Sequence, residues 1–152
     1  MAIRQVSVYV ENKAGRLCEI IRILRDANIT IMAHSLEDEK EYGVFRMIVP
    51  VPEKVVELLK FKGFSARLTN VVAVLVSDQP GGFHALLEAL AENGIDFTYT
   101  YSIGHTKGGK AVNILHPADV EKTEMFLTEK GFDVLSETDL ITLYEEEEGS
   151  AQ

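Results

Sequence analysis

The chain has 152 residues, 46% of them apolar and 26% charged, the balance of a soluble globular protein. Its net charge of −9 excludes nucleic acid and anionic membrane surfaces as partners, because an acidic face gains nothing from counterion release. No apolar run is long enough to span a bilayer, the N-terminus carries no signal-peptide core, and the single cysteine, Cys18, forms no internal disulfide, so a cytoplasmic location is expected.

Residues 3–10 read as a first strand, with Val6, Val8 and Val10 on one face. The turn Asn12-Lys13-Ala14-Gly15 leads into a helix over 16–27, whose apolar stripe is Leu17, Ile20, Ile21 and Leu24. Asn28 suits the left-handed position that ends a helix. A second strand is expected over 29–36, a charged turn over 37–41 and a third strand over 42–49. Pro52 opens a second helix with Val55, Leu58 and Leu59 as its buried stripe. Gly63 stops that helix, and a fourth strand follows over 64–68.

The pattern then repeats. Placing Gly15 on Gly81 sets a shift of 66 residues, which puts Asn12 on Asp78, Leu17 on Phe83, Ile20 on Leu86 and Leu24 on Leu90. Past the third strand a two-residue insertion makes the shift 68, bringing Lys62-Gly63-Phe64 onto Lys130-Gly131-Phe132. The second copy has a strand over 72–77, a helix over 82–93, a strand over 95–102, a turn through Gly108-Gly109, a strand over 110–115, a helix over 117–130 and a last strand from Phe132. Each copy is β-α-β-β-α-β. That order specifies an α+β fold of two ferredoxin-like units, antiparallel sheets with both helices on one face.

The domains are therefore 1–70 and 71–144, units of roughly 70 residues whose thin cores favour packing against each other or a second chain. Thr69-Asn70 is the only candidate joint, with no Gly/Ser-rich or Pro-rich linker. Carrying the shift of 68 onward puts Val72, Val74 and Val76 on Leu140, Thr142 and Tyr144. Residues 140–144 are then a third copy of the first strand padding a sheet edge, or else a plain extension of the fourth strand. The acidic tail 145–152 is expected to be disordered.

Catalytic groupings are sparse. His34, His84, His105 and His116 show no metal-ligand spacing, and neither metal nor cofactor is expected. Cys18 reads as a small buried hydrophobe rather than an activated thiol. The stretch Gly104 to Gly109 lacks the spacing of a phosphate-binding loop and precedes a strand, so it reads as a hairpin turn.

The two strand-to-helix corners hold more chemistry. Val72, Val74 and Val76 lead into Ser77-Asp78-Gln79-Pro80-Gly81-Gly82-Phe83-His84, where Pro80 sets φ and the glycines allow a sharp turn and a close backbone approach. Each corner offers unpaired helix N–H groups for a carboxylate and a side-chain oxygen, on Asn12 or Asp78, for an ammonium. Those are the two ends of an amino acid. Bracing the turn or capping the helix is the alternative role of Asn12 and Asp78.

Asp-Gln-Pro-Gly-Gly-Phe leading into Leu-Leu-Glu-Ala-Leu-Ala-Glu-Asn-Gly-Ile-Asp resembles an ACT domain, and Glu-Asn-Lys-Ala-Gly-Arg-Leu with Leu-Arg-Asp-Ala-Asn-Ile resembles a second. From residue 3 to about 144 the chain is similar to small stand-alone tandem-ACT proteins. The resemblance implies regulation: a free amino acid bound between two domains, the corner of one facing the second strand of the other. The implied binding positions are Asn12, Ala14, Gly15, Arg16 and Leu17, then Asp78, Pro80, Gly81, Gly82, Phe83 and His84. From the second strands they are Ile31, Met32 and Ala33, and Phe97, Thr98 and Tyr99. Ala14 departs from the usual proline, and Asp78 from the usual asparagine. The expected protein is a non-enzymatic, homodimeric amino-acid sensor. Its rivals are a regulatory subunit of a biosynthetic enzyme of the acetolactate-synthase kind and a small enzyme using His84 or Tyr101.

Overall fold

A computed structural model describes residues 3–106 and 108–150, with the side chains of 104–106 and 147–150 left aside. Contacts divide the described residues into one unit of Arg4–Thr69 and another that comprises Ile3 and the chain from Asn70 onward.

In the first unit the elements are β1 (Ile3–Glu11), α1 (Arg16–Asp26), β2 (Ala33–Asp38), β3 (Tyr42–Ile48), α2 (Pro52–Phe61) and the opening part of β4 (Ser65–Ser77). The strands lie in the order β2-β3-β1-β4. Antiparallel pairing sets Val6 against Met47, Val8 against Phe45 and Val10 against Gly43. Direct partners share a face, so the alternating valines meet Phe45 and Met47 on one side of the sheet. Ile20 and Leu24 of α1 and Val55, Val56 and Leu59 of α2 bury against that same side. Each fully buried aliphatic side chain contributes about 1.5–3 kcal/mol. Val56 joins the stripe of α2 where Leu58 was expected; Leu58 is only half-buried.

In the second unit the rest of β4 is followed by α3 (Gly82–Glu92), β5 (Phe97–Thr106), β6 (Lys110–Pro117), α4 (Val120–Glu129), β7 (Asp133–Leu135) and α5 (Glu137–Ser150). β4 pairs with β6 on one side and β7 on the other, and β5 pairs with β6, all antiparallel. Val72, Val74 and Val76 form the core with Leu86 and Leu90 of α3 and Leu127 of α4. Each unit is thus an α+β, ferredoxin-like βαββαβ arrangement with its helices packed on one sheet face. β4 spans the division between the units, which falls between Thr69 and Asn70.

Several boundaries differ from expectation. β2 begins at Ala33, so Ile31 and Met32 precede it, although the Met32 N–H already donates to the Ile48 carbonyl at 2.8 Å. Its repeat, β5, starts at Phe97 and continues to Thr106, past the expected end at 102. Pro117 closes β6 rather than opening α4. Asp119 provides the cap instead, its side chain accepting from the Lys122 N–H at 3.0 Å. Gly108 and Gly109 turn the β5–β6 hairpin; Lys107, in the same turn, lies outside the described residues. Asn28, at the end of α1, has φ 57° and is the one non-glycine with positive φ among the described residues.

The C-terminus overturns the expectation most clearly. Residues 140–144 are neither a third strand nor an extension of the fourth: they belong to α5, which spans Glu137–Ser150 and so includes the first part of the acidic tail, while residues 151–152 lie outside the described residues. Ser136 and Asp139 explain why. The Ser136 N–H donates to Asp139 Oδ2 at 2.9 Å and the Asp139 N–H to Ser136 Oγ at 3.1 Å, a reciprocal capping box that starts a helix. Leu140, 3% exposed, anchors the first turn. A helix satisfies its backbone internally and cannot pad a sheet edge.

Candidate functional site

Both corners are built alike. Gly15 and Gly81 are the residues preceding α1 and α3, with φ 87° and 102°, a region where a side chain would be strained. The N-cap residues, Gly15 and Gly81, bring no side chain to cap either helix. At the first corner the Asn12 N–H donates to the Glu41 carbonyl at 2.9 Å, and the first bond into α1 is Glu19 N–H to the Gly15 carbonyl at 2.9 Å. At the second, the Asp78 N–H donates to the Gly109 carbonyl at 2.9 Å and the Ala85 N–H to the Gly81 carbonyl at 2.9 Å. Between those bonds, the N–H groups of Leu17 and Cys18, and of Phe83 and His84, donate to no acceptor among the described residues. Two aligned amides at a helix N-terminus carry partial positive charge and attract a carboxylate.

The paired glycines divide their duties. A Cβ on Gly81 would meet nothing within 4 Å, so that position needs only its φ. A Cβ on Gly82 would lie 1.9 Å from the Ser77 carbonyl oxygen, so the close backbone approach belongs to Gly82. Arg16 is the counterpart of Gly82 in the first corner. Its guanidinium pairs with Glu19 at 2.8 Å and covers the Phe64 ring at 4.7 Å.

Beside the second corner lies a groove of about 400 Å³ lined by Val76, Ser77, Asp78, Gln79, Phe83, Thr100, Tyr101, Ser102, Ala111 and Asn113. The register places Asn113 opposite Val74 on β4 and opposite Ser102 on β5, on the face that carries the helices. Asn113 is 7% exposed, and its carboxamide makes no hydrogen bond to any described residue. Phe83, expected in the core stripe of α3, stands 39% exposed and lines this groove instead. Asp78 Oδ1 accepts from Gln79 Nε2 at 3.2 Å.

The first corner differs. The positions matching Thr100, Ser102, Ala111 and Asn113 hold His34, Leu36, Phe45 and Met47. Phe45 and Met47 are 2% and 0% exposed, and Leu17 packs on the same core, so side chains occupy the corresponding volume. Asn12 instead edges a recess formed with Glu11, Lys13, Lys40, Glu41 and Tyr42.

Of the expected second-strand positions, Met32 and Ala33 are buried and Ile31 packs on the first core. Phe97 packs on the second core. Thr98 Oγ1 is 2.7 Å from His116 Nδ1, and the Tyr99 ring stacks on His116 at 4.8 Å. None of these lines the groove; the next three residues do, together with Ala111 and Asn113, which sequence reasoning missed. A signal was present in Val-Asn-Ile-Leu, an amide in the middle of a buried strand where the other copy has methionine. His84 is exposed, its Nδ1 3.5 Å from Glu88 and away from the groove, whereas Tyr101 lines it. Cys18 is exposed, contrary to its reading as a buried hydrophobe, because it follows Leu17 off the apolar stripe. Among the described residues no helix is long and apolar enough to cross a membrane.

Known proteins give an independent view. A crystal structure of a protein from Bacteroides thetaiotaomicron is 31% identical over 92% of this chain and 96% of its own, with a TM-score of 0.86. The ligand-free regulatory subunit of aspartate kinase from Thermus thermophilus shares the fold at 14% identity, covering 82% of this chain and 88% of its own with a TM-score of 0.60. Structures of aspartokinase alpha and beta subunits do so at 18% identity, 82% and 90% coverage and a TM-score of 0.53. No curated protein matches the chain. The sequence model of the ACT domain pair matches residues 1–144, and with the two βαββαβ units described above it establishes that the chain belongs to the ACT domain pair family.

Proposed function

We propose that the chain is a non-enzymatic regulatory protein that binds a free amino acid at its second corner. The observation that carries this reading is a groove of about 400 Å³, lined by Phe83 and Asp78, at the start of α3, where the N–H groups of Phe83 and His84 donate to no acceptor among the described residues. The amides receive the carboxylate of the ligand. The Asp78 carboxylate, which lines the groove, receives the ammonium. An amino acid of about ten heavy atoms gains about 3–8 kcal/mol from such a site, giving micromolar to millimolar affinity, the range of a metabolite sensor.

Membership of the ACT domain pair family supports a regulatory role, and a fold shared with regulatory subunits of aspartate kinase supports a biosynthetic enzyme as the partner through which the signal passes. A homodimer completes the proposal, because symmetric pairing is the commonest way to cover sheet edges such as β2 and β5. Thermal-shift and calorimetric titration with the twenty amino acids test the reading. Binding to the folded form must raise the melting temperature by mass action. A flat response to all twenty would remove the amino-acid site.

A further inference from the structure

We infer that Phe61 of one copy of the chain, with the lysines on either side of it, docks in an acidic cleft between α4, β7 and α5 of a second copy. This inference goes beyond the proposed amino-acid site and stands whether or not that site is filled.

Phe61 ends α2 and stands 85% exposed. Single exposed apolar side chains are ordinary, but an aromatic ring held clear of its own fold is the residue type that anchors interfaces. Seating it in a pocket removes about 150–250 Å² from water. Lys60 and Lys62 flank it, both exposed and neither in an ion pair with any described residue. Their charge suits the negative end of α2, yet that role does not account for the ring between them.

The cleft has a volume of about 660 Å³. Met125, Val134 and Leu135 give it apolar lining, and Glu124, Glu129 and Asp139 line it with carboxylates. Met125 is 65% exposed, which leaves its flexible thioether chain open to a partner. Glu129 sits in the last turn of α4, where the helix dipole adds to its negative potential, and it makes no ion pair with any described residue. These carboxylates do not form a metal site, since no group of three or more metal-ligating side chains among the described residues could hold an ion.

Charge complementarity selects the occupant. With a net charge of −9, two copies of the chain repel each other over most approaches. Lys60-Phe61-Lys62 meeting this cleft is an approach that attracts: the ring finds apolar lining and the ammonium groups find carboxylates. Such pairing fixes register as well as affinity. The duplication sharpens the match. The shift of 68 places Lys60 on Thr128, Phe61 on Glu129 and Glu57 on Met125. At equivalent positions of α2 and α4, one unit presents an exposed ring beside a cation and the other a carboxylate near an exposed methionine. Every copy carries one knob and one cleft, so two copies that exchange knobs form a closed pair.

Photo-cross-linking of the full chain tests this. With p-benzoylphenylalanine in place of Phe61 the knob stays aromatic, and the substituted chain is mixed with isotope-labelled unsubstituted chain, irradiated and mapped by mass spectrometry. Cross-links to residues 124–139 of the isotope-labelled chain are expected. In sedimentation equilibrium Phe61→Glu, at a position exposed within its own chain, should raise the dissociation constant of the pair roughly tenfold or more, and Met125→Glu should do so from the cleft side. Far-UV circular dichroism of both variants should match that of the unsubstituted chain. Cross-links centred on any other surface, a chain that stays monomeric at every concentration reached, or a dissociation constant that neither substitution changes would overturn the inference.

Discussion

Gly82→Ala is the perturbation that most sharply separates what the two glycines of the second corner do. The added Cβ would sit 1.9 Å from the Ser77 carbonyl oxygen and 2.8 Å from its carbon, both backbone atoms that cannot rotate aside. Relief requires the start of α3 to move off the end of β4. Overpacking of this kind costs typically 1–3 kcal/mol and more when backbone must shift, so a loss of about 3 kcal/mol is expected. Gly81→Ala adds a Cβ with open space around it and carries only the strain of φ 102°, about 1–2 kcal/mol. Urea titrations of both variants, read as the change in midpoint at unchanged slope, measure the difference. The reasoning fails if Gly82→Ala costs less than Gly81→Ala, or under about 1 kcal/mol, since the steric term is then absent.

Other expectations follow from the same geometry. Ser136→Ala removes half of the capping box and should cost about 1 kcal/mol, with faster amide exchange across residues 137–144 as its signature. Leu140→Ala opens a cavity at a site 3% exposed and should cost about 2–4 kcal/mol in a denaturant titration. Without ligand, Asn113→Leu should leave stability unchanged or raise it, because it removes an amide lacking a protein partner; a drop beyond about 2 kcal/mol would mean that the amide is already satisfied. Asp78→Asn keeps the shape of the corner and removes its charge, so calorimetry should show about tenfold weaker binding of any amino acid ligand.

How much of this was legible beforehand depended on whether the cause was local. Alternating valines at 6, 8 and 10 and at 72, 74 and 76, the apolar spacing from Ile20 to Leu24, and the matching glycine corners depend on near neighbours in the chain, and they fixed the element order. The position of Asn28 at the end of α1 likewise follows from its own backbone preference. At the C-terminus the repeat of Leu140, Thr142 and Tyr144 points to a strand, whereas the capping box of Ser136 and Asp139 just before it starts a helix. The groove was hidden for a different reason. Its floor comes from β4, β5 and β6 in register, and the pairing of Asn113 with Val74 and Ser102 joins residues far apart in sequence. The expected strand positions fell one to three residues short because β5 has register shifts between Phe97 and Thr100, which no local pattern announces.

The most direct test of the central claim is an amide chemical-shift titration of the labelled chain with the twenty amino acids. The account predicts saturable shifts concentrated at the backbone amides of Phe83 and His84 and at the side-chain amide of Asn113, with the Leu17 and Cys18 amides unmoved. Saturable shifts centred on any other surface, or none with any of the twenty, would contradict it.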